Sequence, residues 1–332
     1  MPTRAQVAVL TAPHQLQFES RDLAADPLPA DALLAETLVT AISPGTETAA
    51  WQGLPPLRPG PIYPRLVGYC NVAHVLRCGE GCTGLQPGDR ILSFSAHCSH
   101  FVLPATEVLA VLPPDLSPEQ AVMAYLFHLG YSAVLAAAQP PGATAVVLGL
   151  GVLGLTSCAM AQLAGWEVAA VTDQPPVLAL PGVRFHRRDD PPAPASAQVV
   201  IVTSGSWHDW DLALRLAAQR AEIVVLGFPG RGAPAIPFNP LRPEDFYQRQ
   251  LRITAAGMCP EHADSRGFCP FNERSNLARI LDWFRSGRLD PALLQAPLRP
   301  AHQLPQLYSD LCSGKRAVNT YLLDWQSPEL QP

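Results

Sequence analysis

The sequence predicts an α/β fold in two lobes, one rich in β-strands and one built on a parallel sheet, and three observations carry that expectation. The first is ATAVVLGLGVLGLTSCAMAQLAGWEVAAVTD, residues 143–173, where an apolar β-branched run, a glycine turn, an apolar helix and a second apolar run ended by an acid follow in order. The second is a set of short strand-like runs, separated by turns, ahead of residue 118. The third is renewed alternation of strand-like and helical runs after residue 173, which suits a parallel sheet.

Taken in order, residues 4–10 and 33–42 are strand-like, and residues 43–47, SPGTE, read as a turn. Residues 54–64 are dense in proline and read as an irregular loop. Residues 66–76, 90–94, 101–103 and 108–112 complete an all-β, barrel-like set. The period then changes: residues 118–138 suit a long, mostly buried helix opened by Ser117-Pro118-Glu119. Past the glycine unit, residues 198–203 and 222–226 read as strands with a helix at 210–219 between them. A strand at 251–255, a helix at 274–285 and a last strand at 317–325 follow.

Composition narrows the function classes. The 332 residues are 48% hydrophobic and 15% charged, enough for two cores. No apolar run is expected to reach the ~18 residues of a membrane span. The start, MPTRAQVAVL, lacks a signal-peptide layout, so a cytoplasmic protein with no membrane partner is expected. Net charge is −5 with acids and arginines scattered, which argues against a nucleic-acid partner. Lys315 is the only lysine, leaving Schiff-base chemistry essentially no candidate. The eight cysteines lack the CxxC pairs of a zinc ribbon; Cys78 and Cys82 flank a glycine-rich turn.

Each glycine of the central turn has a physical task. Gly149 allows the tight turn off the strand, Gly151 lets a pyrophosphate approach the backbone, and Gly154 lets the helix pack close to the sheet. The helix N-terminus, with Val152 and Leu153, faces the phosphate charge. Thr203, ending the next strand, joins the candidate cofactor-binding set. Asp173 stands 19 residues after Gly154 (173 − 154) and is placed to accept hydrogen bonds from a ribose diol and to repel a 2′-phosphate. Gln174, Pro175 and Pro176 follow and no nearby arginine is expected to bind such a phosphate, so NAD is expected, with NADP the other option.

With those segments in place, the chain resembles the medium-chain dehydrogenase/reductase superfamily of zinc-type alcohol dehydrogenase-like proteins. The carriers are ISPGTETAAWQG (42–53), PRLVGYCNVAHVL (64–76), LQPGDRIL (85–92), FVLPA (101–105), VLGLGVLG (147–154) and IVVLGF (223–228). The resemblance implies a GroES-like catalytic domain over 1–118 and 256–332, a Rossmann domain with its interdomain helix over 119–255, and a homodimer through an edge near 253–258. SPGTE, the GY at 68–69 and the short AHCSHFVLPA joint are similar to the bacteriochlorophyllide a dehydrogenase branch.

Departures from that family's pattern bear on chemistry. Zinc-dependent members carry Cys-Gly-Thr-Asp where this chain has Pro44-Gly45-Thr46-Glu47, and Gly-His-Glu where it has Gly68-Tyr69-Cys70. A third ligand aligns with Tyr125. The four-cysteine lobe that holds structural zinc is missing too, so no zinc is expected, with Cys70, His97, Cys98 and His100 the remaining residues suited to a metal. Without one, the substrate oxygen needs hydroxyl or imidazole donors. Thr46 holds the family's proton-relay position, Tyr69 is expected to point its phenol into the same space, and His97 is a candidate general acid or base. His128 reads as a core histidine. The resemblance implies a zinc-independent oxidoreductase moving a hydride between NAD(H) and a secondary alcohol or ketone of a small or biosynthetic substrate. The alternatives are an NADPH-dependent enoyl or quinone reductase and a dinucleotide-binding protein without catalysis.

Overall fold

A computed structural model describes residues 4–54, 62–174, 180–232, 234, 236, 238–257, 259–262, 266–313 and 318–327. The chain divides into two compact units, Met1–Tyr125 with Arg274–Pro332, and Leu126–Glu273.

Along the first unit run β1 (Arg4–Ala12), β2 (Gln15–Asp22), β3 (Ala32–Ala41), α1 (Pro44–Trp51), β4 (Arg65–Leu66), β5 (Asn71–Cys78), β6 (Arg90–Ser93), β7 (His100–Pro104), β8 (Ala110–Val111) and α2 (Pro118–Ala121). Helix α3 (Ala124–Ala137) follows. Next come β9 (Thr144–Leu148), α4 (Val152–Leu163), β10 (Glu167–Val171), β11 (Arg184–His186), β12 (Ala197–Val202), α5 (Trp207–Leu216), β13 (Ala217–Val225) and β14 (Arg252–Ala255). Then come α6 (Glu273–Arg285), β15 (Leu298–Pro300), α7 (Leu304–Cys312) and β16 (Leu322–Asp324).

The 126–273 unit holds a six-stranded sheet in the order β11-β10-β9-β12-β13-β14, and every pairing in it is parallel. Its strands read as continuous apolar runs because both faces are covered. Val146, Leu148, Val171, Val200 and Ile223 bury against Trp210, Leu212 and Leu214 of α5. The order reverses beside β9, the crevice where open parallel sheets take ligands. Helix α4 buries eight of its twelve residues, small ones such as Gly154, Ser157 and Ala161 among them.

The other unit holds a three-stranded sheet, β2-β1-β4, and a seven-stranded sheet, β15-β16-β3-β5-β6-β8, with β7 also on β3. Leu33, Ala35, Val75 and Ile91 fill one core; Ile42, Trp51, Leu304, Tyr308 and Trp325 fill a second, under α1 and α7.

Three expectations change. Residues 44–51 are helical from Pro44 onward, because proline is tolerated at the first helical position and Ser43, extended at φ −98°, leads into it. The strand expected over 66–76 is broken: β4 ends at Leu66, β5 begins at Asn71, and Gly68 at φ +88° breaks the strand between them, so Tyr69 and Cys70 lie in the connection. Residues 118–137 are long and apolar enough to cross a membrane, contrary to the expectation from composition; 67% of that window is buried. Ser117 opens the stretch with a capping box to Gln120. The proline-dense loop expected over 54–64 falls largely outside the described residues.

Candidate dinucleotide site and polar cluster

The glycine turn joins β9 to α4. Gly149 adopts φ +91°, a region that favours glycine. A Cβ on Gly154 would lie 1.9 Å from the Gly149 carbonyl oxygen, so this turn accepts only glycine there. Gly151 is the N-cap of α4 and offers no side-chain cap. The first N–H groups of α4, those of Val152, Leu153 and Gly154 among them, therefore lack partners within their own helix turn and fit a phosphate. Thr203 donates its hydroxyl to the Leu148 carbonyl at 2.8 Å and lies within 3.3 Å of that of Gly149, fixing the turn from the side of β12.

Asp173 lies two residues beyond β10 with its side chain half exposed, and it is not alone. Arg188, fifteen residues on, donates from Nη1 to Asp173 Oδ2 at 2.5 Å, and from Nε and Nη2 to the two oxygens of Asp209 at 2.7 and 3.0 Å. The expectation that no arginine stands near Asp173 is thus overturned: β11 pairs in parallel with β10 and returns the chain beside it. Ser204 donates to Asp209 at 2.5 Å, and Asp209 is fully buried in the first turn of α5. Hydrogen bonding to Arg188 holds the Asp173 carboxyl below the usual range, and hydrogen bonding to Asp209 holds the Arg188 guanidinium above its own.

A second polar cluster sits in the other unit, where a buried carboxylate gathers three donors. Glu47 Oε1 accepts from the Ser43 backbone N–H at 2.6 Å; Oε2 faces His97 Nε2 at 2.8 Å and accepts from the Tyr308 hydroxyl at 2.5 Å. His97 Nδ1 lies 2.8 Å from the Thr40 hydroxyl, which accepts from Trp325 Nε1 at 2.9 Å. A neutral imidazole satisfies every member, with Nε2–H donating to Glu47 and Thr40 O–H donating to Nδ1. Gly68 completes the packing: a Cβ there would fall 2.6 Å from the His97 ring. Burial, with the Glu47 charge beside it, pushes the Tyr308 phenol well up.

Above this base, three hydroxyls converge. Tyr69 donates its phenol O–H to Ser43 Oγ, and Thr46 is its second hydrogen-bonding neighbour. Burial above all, then the Cys70 thiol, pushes the Tyr69 phenol well above its ordinary range, and the bonds to Ser43 and Thr46 pull it back only in part. Tyr69 therefore stays a neutral O–H donor. Tyr125 meets Tyr69 edge-on at 5.6 Å, and Phe94 meets Tyr125 edge-on at 4.7 Å. Such pairs add about 0.5–1.5 kcal/mol each beyond their burial.

Of the expected site residues, Thr46 and Tyr69 come together. His97, the candidate general acid or base, is fully buried, and its ring nitrogens bond Thr40 and Glu47. Cys70, Cys98 and His100 do not assemble around it. Cys70 and Cys98 are buried thiols pushed up by desolvation, Cys98 to about 12, and His100 leans on Ser99. Among the described residues no three His, Cys, Asp or Glu side chains gather as a metal site. His128 is buried, faces Cys259 Sγ at 3.4 Å, and is lowered to about 4 by desolvation.

No protein-family model matches the chain. A relative from Rhodobacter capsulatus, 2-desacetyl-2-hydroxyethyl bacteriochlorophyllide A dehydrogenase, is 30% identical over 131 residues, 36% of this chain. The match spans 41% of that relative's length. Among solved structures, a dehydrogenase from Sinorhizobium meliloti 1021 bound to NADP superposes with a TM-score of 0.78 at 18% identity, covering 97% of this chain and 100% of that one. Galactitol-1-phosphate dehydrogenase from Escherichia coli gives 0.78 at 15%, over 96% and 99%. An alcohol dehydrogenase from E. coli CFT073 complexed with NADH gives 0.74 at 16%, over 97% and 100%. The chain has the medium-chain dehydrogenase fold. The residues expected from sequence at zinc-ligand positions, Pro44, Tyr69 and Tyr125, carry no thiolate, imidazole or carboxylate.

Ser43, Glu47, Tyr308, Arg188 and Asp209 were missed from sequence. Only Ser43 and Glu47 carried a signal, since they flank Thr46. Tyr308 reaches Glu47 across 261 residues, a pairing no local pattern announces.

Proposed function

We propose that the chain is a zinc-independent oxidoreductase that transfers a hydride between NAD(H) and a secondary alcohol or ketone. The observation that supports it is the convergence of Ser43, Thr46 and Tyr69 hydroxyls beside the Tyr125 ring, where zinc-dependent relatives are expected to place their metal. The dinucleotide, when bound, supplies or accepts the hydride at its nicotinamide.

In the reducing direction the carbonyl oxygen gathers charge, and neutral O–H donors aimed at it stabilise that charge without a metal. Tyr69 suits this role because its environment opposes ionisation. Its proton goes to the alkoxide as Ser43, bonded to the same phenol oxygen, passes one to Tyr69 and takes one in turn from water. In the oxidising direction the same hydroxyls relay the alcohol proton to water as the hydride leaves carbon, each accepting one proton and passing one on. His97 and Glu47 hold Ser43 and α1 in position, so we assign them support and not proton transfer to substrate. The glycine turn and the N-terminus of α4 bind the pyrophosphate, and Asp173 takes the adenosine ribose.

A second reading is favoured by one observation. Arg188 beside Asp173 reopens NADPH, and with it reduction of an activated C=C in which Tyr69 protonates the adjacent carbon. β14 is an edge strand of its sheet, and we read it as the surface of a homodimer, which light scattering at micromolar concentration tests.

The test of the reaction is turnover of a panel of alcohols, ketones and activated enones by protein of measured zinc content. Tyr69→Phe is expected to lower kcat by about 10²–10³ with the NADH dissociation constant unchanged. Stoichiometric zinc whose removal abolishes activity would overturn the metal-free reading. NADH binding with no turnover of any carbonyl would make the chain a binding protein.

A further inference from the structure

We propose that Arg188 and Asp173 act as one device that sets the choice between NAD and NADP, with Asp173 covering a guanidinium already positioned for a 2′-phosphate. This rests on the dinucleotide reading above. The fold does not make the choice, because solved neighbours of similar TM-score hold NADP in one case and NADH in another.

The geometry separates what positions Arg188 from what it faces. Nε and Nη2 form a two-point bond to Asp209, whose side chain is 1% exposed and whose remaining contact is the Ser204 hydroxyl. A buried carboxylate at a helix N-terminus, bonded at both oxygens, is a rigid anchor. Nη1 alone turns outward, to Asp173, whose side chain is 52% exposed. The Arg188 backbone N–H reaches the other Asp173 oxygen at 3.4 Å. Removing Asp173 therefore leaves Arg188 held from beneath, with one donor nitrogen freed at the end of the second strand, where the adenosine ribose of a dinucleotide lies. Arg187, which acts electrostatically on Asp173, is tied to Asp189 at 3.1 Å. With Asp173 present, the corner presents Asp173, Asp189 and Asp209 against two guanidinium groups and repels a dianionic phosphate. Without it, the charges balance and the Nη1 donor of Arg188 faces outward, its guanidinium held in place by Asp209.

The experiment is fluorescence titration of the full chain with NADH and with NADPH, in wild type, Asp173→Ser, Asp173→Asn and the double variant Asp173→Ser with Arg188→Gln. Wild type is expected to favour NADH by about tenfold or more, the size of one charge-assisted hydrogen bond and one repulsion. Asp173→Ser is expected to reverse the preference by a similar factor. Asp173→Asn, which keeps the bulk and loses the charge, should fall between. The double variant should lose the NADPH gain and keep weak NADH binding. Melting curves show that each variant is folded. A folded Asp173→Ser that loses NADH affinity and gains none for NADPH overturns the covered-guanidinium proposal and leaves the NAD reading intact. Wild type that prefers NADPH overturns the covering role of Asp173 and the NAD reading together. Wild type that binds neither dinucleotide overturns the dinucleotide reading itself.

Discussion

On the proposed reading, the glycine turn and the hydroxyl cluster solve the same kind of problem, holding polar groups toward a ligand, with different parts of the chain. The turn uses backbone N–H groups between residues 149 and 154, so six consecutive residues specify it, and its demands are steric: no Cβ at Gly154 and positive φ at Gly149. The cluster uses side chains from α1, from the connection before β5, from residue 97 and from α7, and its demands are mutual: each donor needs its acceptor buried with it. A backbone site fails by collision. A side-chain site fails when one member leaves the others unpaired.

The sharpest way to break that contrast is Glu47→Ala, which strands Ser43 N–H, His97 and Tyr308 in a buried space. A loss of about 3–5 kcal/mol is expected in urea unfolding. If the sites are separate in kind, NADH affinity of the surviving folded protein stays near wild type. A large fall in affinity would show the two units to be energetically coupled at this cluster. Gly154→Val is the counterpart: it drives a side chain into the Gly149 carbonyl and should weaken NADH binding by at least about a hundredfold, with unfolding cost of about 1–3 kcal/mol. Retained binding would mean that the turn is not the phosphate cradle.

The pH dependence of stability separates the two units further. His128 lies in the 126–273 unit and has a folded value of about 4, below the ordinary value of 6.5. Between those values the unfolded chain binds a proton that the folded chain refuses. Stability therefore rises with pH across that window and is lost as pH falls from 6.5 toward 4, by up to about 3 kcal/mol. His128→Asn should flatten that slope, read from melting temperatures between pH 4 and 7. An unchanged slope would place the titration elsewhere. The smallest effect is expected for Thr203→Val, which removes the hydroxyl bond to Leu148: about 1 kcal/mol of stability and a few-fold in NADH affinity.

Much of the fold was legible because its signals are local. The strand, glycine turn, helix and strand within residues 143–173 were read in their observed order, since a buried parallel strand is a continuous apolar run and a dinucleotide turn needs its glycines in fixed order. The helix at 44–51 was missed because Pro44 and Gly45 imitate a turn; the Ser-Pro start was the overlooked signal. The strand β2, QLQFESRD, was missed as well, because its alternation is weak and it covers only one face of its sheet.

The order of residues along the chain was enough to specify the glycine turn, the acid at 173 and the absence of thiolate or imidazole at 44, 69 and 125, since each depends on neighbours a few residues away. Packing alone made His97 a buried partner of Glu47, joined Tyr308 to the same carboxylate, and returned Arg188 to the side of Asp173. Those pairings follow from which strands lie side by side and which loops close over them, so they are set by the free energy of the whole core and leave no periodic trace in the residues that make them.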